Sequence, residues 1–448
     1  MNMRPFQNRL RTGTFLLASC LLWSCGSSTE AEDKDDDTAP RGPEWSESSH
    51  GKVPPDTTAA FPAARRILTI SMSDAAWTSM VESLEKACGG SGPSATCTGS
   101  SLDDHDSVSA WRVADLLADG KKWASIGIKL PSNGEVADAW KAGGNRFPFR
   151  ITMDKWEKEI PAIDNQRFYG FQKLSLENLE NDSTGLRHQV AGAIYRAQGV
   201  PALRSALVTL KLTHGSTTLD LGLYSLREMI DGPFLSRWFS DNDGNLYEPA
   251  STLSSFAPGD FDEGDHDGSF ADASAFVGAL NASNRTTAPD AWRNALGQTF
   301  DLDGFVDWLA VSTALGDRGS YGEEPDNFAL YANGGKLHWM ALHLDEAIKG
   351  STRGIWHPGA SATWPLIANV LRDSVLCESY KSKVGALVAT SGPLSPTNLA
   401  ARINAVAGPS LSGLDDAATR PAKLLAFASS RKAVVDSSLA NHTCPYRD

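Results

Sequence analysis

Short apolar runs with a two-residue period fill the first half of this 448-residue chain, and runs with a helical period fill the second. Side chains alternate across a strand but recur every three or four residues along a helix, so this change of period limits the chain to a β-rich part followed by an α-rich part. Residues 67–72, 124–130, 147–153 and 171–176 read as strands, and 206–212 with 219–226 as a hairpin. Ser73 can cap a helix carrying Trp77, Met80, Val81 and Leu84 on one face, and a second helix spans 186–198 before Gly199 and Pro201. Later helices are expected at 271–280, 288–296, 302–315 and 364–371. The expected fold class is α+β, with a β-rich lobe over 61–235 and an α-rich lobe over 236–448, long enough together to bury a sizeable core.

The first 25 residues read as an address. Arg4, Arg9 and Arg11 precede an apolar run, Thr14 to Trp23, that is too short to span a bilayer. The run ends twice in small residues and a cysteine, the pattern of a lipoprotein cleavage site, with Cys25 the expected lipidation site and Cys20 the alternative. From Gly26 to about Ala60 the chain is rich in Ser, Asp, Glu, Thr and Pro, a composition expected of a disordered tether. Removal of residues 1–25 takes away three arginines and no acid, moving the formal charge from -13 to -16. Nucleic acid is therefore an unfavourable partner, and membrane attachment is expected through the lipid alone. The expected location is exported, on the cell surface or in the periplasm.

Four cysteines follow Cys25. Cys88 and Cys97 flank a Gly-Ser-Pro loop, and Cys377 and Cys444 lie late in the chain. An even number in an exported protein suggests disulfides, Cys88 to Cys97 and Cys377 to Cys444, whereas no CxxC pair supports zinc.

A series of segments in fixed order is more specific than any one of them. They are Gln166 to Asn178 (QRFYGFQKLSLEN), Leu186-Arg187, Gly199 to Ala202 (GVPA), Gly222 to Glu228 (GLYSLRE) and Asp241 to Tyr247 (DNDGNLY). Trp308 to Val311, Gly316 to Gly322 (GDRGSYG) and Asn327 to Tyr331 (NFALY) continue it. In order and spacing the series resembles the CotH spore-coat kinase family. The resemblance implies a two-lobed, protein-kinase-like fold with ATP and Mg²⁺ between the lobes and phosphoryl transfer to Ser or Thr of a protein substrate. Such chemistry needs cations on the phosphates, oxygen ligands on the metal and a carboxylate to orient the hydroxyl.

Candidates for the phosphates are Lys129, Arg146, Arg150 and Lys173 on strands, with Arg187 at the helix start. The resemblance implies Asp317 and Asp345 as catalytic acids, and Asn327, Asp345 and His343 around a metal. Several positions depart from the family pattern. Pro131 stiffens the turn where a glycine loop would approach phosphate, His188 stands where an acid would pair a cation, Gly319 replaces the usual aspartate, and His343 replaces the first carboxylate of the metal segment. Asp241, Asp243 and Asn245 begin like a calcium loop, although the bidentate Glu is missing at its expected distance and a turn is the competing reading. No nucleophile elbow, Walker loop or His-Glu-x-x-His is present. Two functions therefore stand: a phosphotransferase, or a non-catalytic, pseudokinase-like surface lipoprotein that binds a protein or an envelope polymer.

Overall fold

The computed structural model describes residues 44–99, 102, 105–349, 352–356 and 363–445. Cys20, Cys25 and the first part of the expected tether lie outside them.

Alternation of apolar and polar residues builds the first half. In β1 (Arg66–Met72) the residues Leu68 and Ile70 are buried while Ile67, just before them, is exposed. Burial alternates in the same way in β2 (Arg112–Ala118) and β4 (Phe149–Thr152), whereas β3 (Lys121–Lys129), β5 (Lys173–Glu177), β6 (Ser205–His214) and β7 (Thr217–Glu228) each contain a run buried on both faces. Among the described residues these strands form a closed barrel in the order β1-β2-β3-β4-β5-β7-β6, with β6 returning to β1 in parallel. Closure leaves no exposed edge for pairing with another chain. Inside lie Leu68, Ile70, Leu116, Ile128, Phe149, Ile151, Leu174 and Leu226, together with Tyr224, whose hydroxyl donates to the Phe147 carbonyl at 3.0 Å.

The second half is helical, around a core that includes Trp292, Trp308 and Trp339, and it carries its own sheet. That sheet runs in the order β11-β10-β8-β9, from β8 (Leu246–Tyr247), β9 (Gly264–Asp265), β10 (Phe328–Asn333) and β11 (Lys336–Ala341). The helix Arg187–Ala197 lies between β5 and β6 in sequence, yet its buried residues Val190, Ile194 and Tyr195 belong to the helical core. It therefore fastens the barrel to the second half. Gly192 permits the close fit, since a Cβ there would come within 3.0 Å of the Leu203 carbonyl oxygen. Nearby, the Ala341 amide donates to the Pro201 carbonyl at 2.9 Å.

The mixed α/β class is as expected, but two features differ. A closed barrel is not the open lobe that a protein-kinase-like fold implies, and the α-rich half contains a four-stranded sheet. The tether also ends earlier than Ala60. His50 is fully buried and stacks on Trp123 with ring centroids 4.6 Å apart, and the Trp123 indole donates to the carbonyls of Ser49 and Arg167. Packing of His50 on this buried indole outweighs the polar composition of its Ser-rich segment. Disulfides join Cys88 to Cys97, with Cα atoms 4.4 Å apart, and Cys377 to Cys444, at 5.6 Å.

Candidate functional site

With Ile128, Phe149, Ile151, Leu174 and Leu226 filling the barrel, the alternate positions on the same strands point outward. Ladder register then aligns them in one row: Lys129 opposite Arg150, Arg150 opposite Ser175, Ser175 opposite Arg227, and Arg227 opposite Ser205. Lys173 lies one outward position along β5 from Ser175, and Glu177 one position the other way. The helical half covers the Arg227 end of this row, so that residues on an outer barrel face are buried.

Two adjoining cavities open along the row and share Arg150 and Met229. One, of about 530 Å³, is lined by Trp111, Lys129, Pro131, Arg150, Lys173 and Met229, with exposed Glu263 at its rim. The other, of about 100 Å³, lies deeper, among Ser175, Glu177, His188, Arg227, Glu228 and His343. Lys129 and Lys155 each hold an ammonium over the Trp111 ring, at 5.1 and 5.5 Å from its centre. Among the described residues neither of these lysines nor Lys173 makes an ion pair. Burial, with Arg150, Lys155 and Lys173 nearby, pushes the Lys129 ammonium below its ordinary range. Like charges opposed across a ladder destabilise it. This wall is therefore set to receive an anion.

The deeper cavity is balanced instead. Arg150 bonds Glu177 at 2.6 Å, and Arg227 reaches Asp345 at 2.9 Å. Burial opposes ionisation of Glu177, but Arg150 and Arg227 outweigh it and hold the carboxyl down at about 2. Its neighbour Glu135, in the first turn of the helix Gly134–Lys141, moves the other way: burial, then the charges of Glu177 and Asp345, push it up to about 7 against Arg227. Two carboxyls in contact divide in this way because one proton between them removes the repulsion. His188 accepts or donates with the Ser205 hydroxyl at 3.2 Å. Burial, with Arg227 and His343 close by, pushes its imidazole well below the ordinary range and leaves it neutral.

Of the candidates read from sequence, Lys129, Arg150, Lys173 and His343 line the cavities. Asp345 lies behind Arg227. Asp317, Asn327 and Arg187 line neither cavity. Arg187 is buried and bonded to Asp182 at 2.6 Å, which commits it to the turn before its own helix. Arg146 donates to the carbonyls of Asn178 and Leu223 and is likewise committed. Asp317 follows the left-handed Gly316 that ends the helix Leu302–Leu315 and accepts from the Gly319 amide at 3.2 Å and the Tyr195 hydroxyl at 3.3 Å. Burial pushes its carboxyl up to about 7 in spite of these donors, and Asp345 and Glu346 add to the push. Glu177, Glu135 and Arg227 complete the site, with Glu177 on β5 the acid that pairs with Arg150.

Magnesium does not fit this donor set. Its expected carboxylate Asp345 is engaged by a guanidinium, His343 offers nitrogen where oxygen is preferred, and among the described residues no three His, Cys, Asp or Glu side chains converge as ligands. Nor is there room for an acid at position 319 without displacing Glu346, whose Cβ would lie 3.0 Å from an added Cβ. The phosphates of a nucleotide do fit, against Lys129, Arg150 and Lys173. The calcium reading is also set aside, because the side-chain oxygen of Asn245 accepts from the Asp267 amide at 2.9 Å and Asp241 accepts from the Tyr331 hydroxyl at 3.2 Å. Asp241 to Asn245 is a turn tied to its neighbours.

The chain belongs to the CotH kinase protein family, whose model matches residues 140–433. That span takes in β4 to β7, the fastening helix, Arg227 and Asp345. No curated protein matches the sequence. Among solved structures, the chain is similar to the proinflammatory kinase CtkA of Helicobacter pylori, with 9% identity over 61% of this chain and 91% of that one and a TM-score of 0.27. It is also similar to the HipA, HipB and operator DNA complex of the toxin-antitoxin system of Shewanella oneidensis MR-1, with 8% identity over 60% and 61% of the two chains and a TM-score of 0.28.

Proposed function

We propose that this chain is a phosphate-binding member of the CotH kinase family that holds a nucleoside polyphosphate in the cleft along the outer face of the barrel. One observation carries the reading: Lys129, Arg150 and Lys173 share one wall, and among the described residues neither lysine makes an ion pair. Charge-assisted contacts to phosphate oxygens supply what the wall lacks. The acids that phosphoryl transfer would use are withdrawn behind it, so binding is favoured over turnover. This is closer to a pseudokinase-like surface protein than to a magnesium-dependent protein kinase.

Calorimetric titration of the purified chain with ATP tests the reading, and the expected result is one bound nucleotide per chain, weakened by Lys129→Glu. Failure to bind any nucleotide would remove it. The same preparation assayed for transfer of the terminal phosphate to Ser or Thr of a protein reports on the other function. Turnover that disappears in Asp345→Asn would replace the binding reading by a catalytic one.

For location we propose export with a lipid on Cys25, or on Cys20, reached by the tether. Labelling of the expressed protein with radioactive palmitate, lost in the double variant Cys20→Ala/Cys25→Ala, is the corresponding test.

A further inference from the structure

Where the family resemblance places a metal and its carboxylates, an arginine stands. Asp345 sits in the short turn after β11, and its Oδ1 lies 2.9 Å from the Arg227 guanidinium. Arg227 comes from the other half of the molecule, on the barrel strand β7, and it is also close enough to Glu177 and Glu135 for each to act on its charge. Glu177 in turn bonds Arg150 at 2.6 Å. Charges thus alternate across the cleft floor as Arg150, Glu177, Arg227, Asp345, and both acids already face a guanidinium. A hydrated magnesium ion gives up water reluctantly and asks for oxygen ligands in octahedral array, so it gains little from acids that are already neutralised. A guanidinium is always charged and carries five N–H donors in a plane. Arg227 can therefore hold carboxylates on one edge and still present donors to the cavity it lines.

We infer that Arg227 takes the place of a divalent cation in this cleft, which accordingly receives its phosphate ligand free of metal. The inference rests on the phosphate-binding reading above and specifies the form of the ligand.

Two measurements on the whole chain test it. In the first, ATP is titrated into the wild-type protein in EDTA and again in excess magnesium. The expected dissociation constants agree within about threefold, and affinity that needs magnesium by about tenfold or more overturns the inference. In the second, manganese alone is titrated and followed by electron paramagnetic resonance. Wild-type protein is expected to bind none at this site, and Arg227→Gln, checked for folding by circular dichroism, is expected to gain one bound ion. Manganese bound by the wild type and lost in Asp345→Asn overturns the inference, as does a folded Arg227→Gln that gains none. If that variant does not fold, the wild-type titrations decide. Absence of ATP binding in both buffers would remove the phosphate-binding reading, while the manganese titrations would still decide whether Arg227 holds the cation's place.

Discussion

Arg227 on β7 and Asp345 after β11 are 118 residues apart in the chain and 2.9 Å apart in space, and their ion pair crosses from the barrel to the helical half. Both are buried, at 7% and 8% exposure. Removal of Arg227 leaves the buried Asp345 carboxylate without its guanidinium, which costs about 3–5 kcal/mol, whereas removal of Asp345 still leaves Glu177 beside Arg227. Arg227→Met is therefore expected to lower unfolding free energy by that order in urea titrations, and Asp345→Leu by less. The double variant should lose less than the sum, because neither charge is then stranded. Simple additivity would show that the pair does not couple the two halves.

The cationic wall should separate from stability. Lys173 is exposed and makes no ion pair among the described residues, so Lys173→Met is expected to leave the urea midpoint within about 0.5 kcal/mol of wild type. Its effect on ATP should be large by comparison, since a hydrogen bond to a charged group contributes about 1.5–3 kcal/mol, or roughly ten- to a hundredfold in affinity. Calorimetry reads both variant and wild type on one scale. Unchanged nucleotide affinity in Lys173→Met and Lys129→Met together would show that the phosphates lie elsewhere.

Strand alternation made much of this wall legible. Placing Phe149 and Ile151 inside the barrel obliges Arg150 to face outward, and the same reasoning applies to Lys129 and Lys173. Alternation names a face but not what covers it. Glu177 and Arg227 lie on that outward face too, but their burial comes from the helical half that closes over them, which no strand period can show. Arg187 failed as a phosphate ligand for a local reason that was present in the sequence: Asp182, five residues earlier in a polar turn, is within reach and pairs with it. The strand β2 was not legible because RVADLLA does not alternate apolar with polar residues: Val113 and Leu117 are exposed while their neighbours Ala114 and Leu116 are buried. The early end of the tether was hidden in composition, where Trp45 and His50 are two residues among many serines and acids, and it shows only in the stacking of Trp45 on His50 and of His50 on Trp123.

The two disulfides should differ in what they contribute. Cys377 and Cys444 close a separation of 67 residues, against 9 for Cys88 and Cys97. On the chain-entropy account the longer loop constrains the unfolded chain more, so its loss is expected to cost about 4 kcal/mol and loss of the shorter about 2.5 kcal/mol. Cys377→Ala/Cys444→Ala and Cys88→Ala/Cys97→Ala, compared by urea unfolding, check the order. A greater cost for the shorter loop would assign the stabilisation to packing around Cys88 and Cys97, both of which are buried in the barrel core.

Asp317 predicts a pH dependence with a definite sign. Burial holds its carboxyl protonated in the folded chain up to about 7, whereas the unfolded chain releases that proton near the ordinary 3.8. Between those values the folded state binds more protons than the unfolded one, so unfolding free energy falls as pH rises, by at most about 1.4 kcal/mol per pH unit from this group. Glu135, pushed up to about 7, acts in the same direction over nearly the same window. Glu177, held down at about 2, acts in the opposite direction, and its contribution is complete once pH exceeds its ordinary 4.5. These three groups together therefore place greatest stability near pH 4 to 5. Asp317→Asn keeps the hydrogen-bonding shape without the charge, so it should flatten the fall and leave the variant at least as stable as wild type above about pH 7. Urea titrations between about pH 4 and pH 8 give the slope for each protein. Wild-type stability that rises through that range, or a slope unchanged in Asp317→Asn, would show that Asp317 ionises freely where it stands and is not held as the neutral acid behind Arg227 and Asp345.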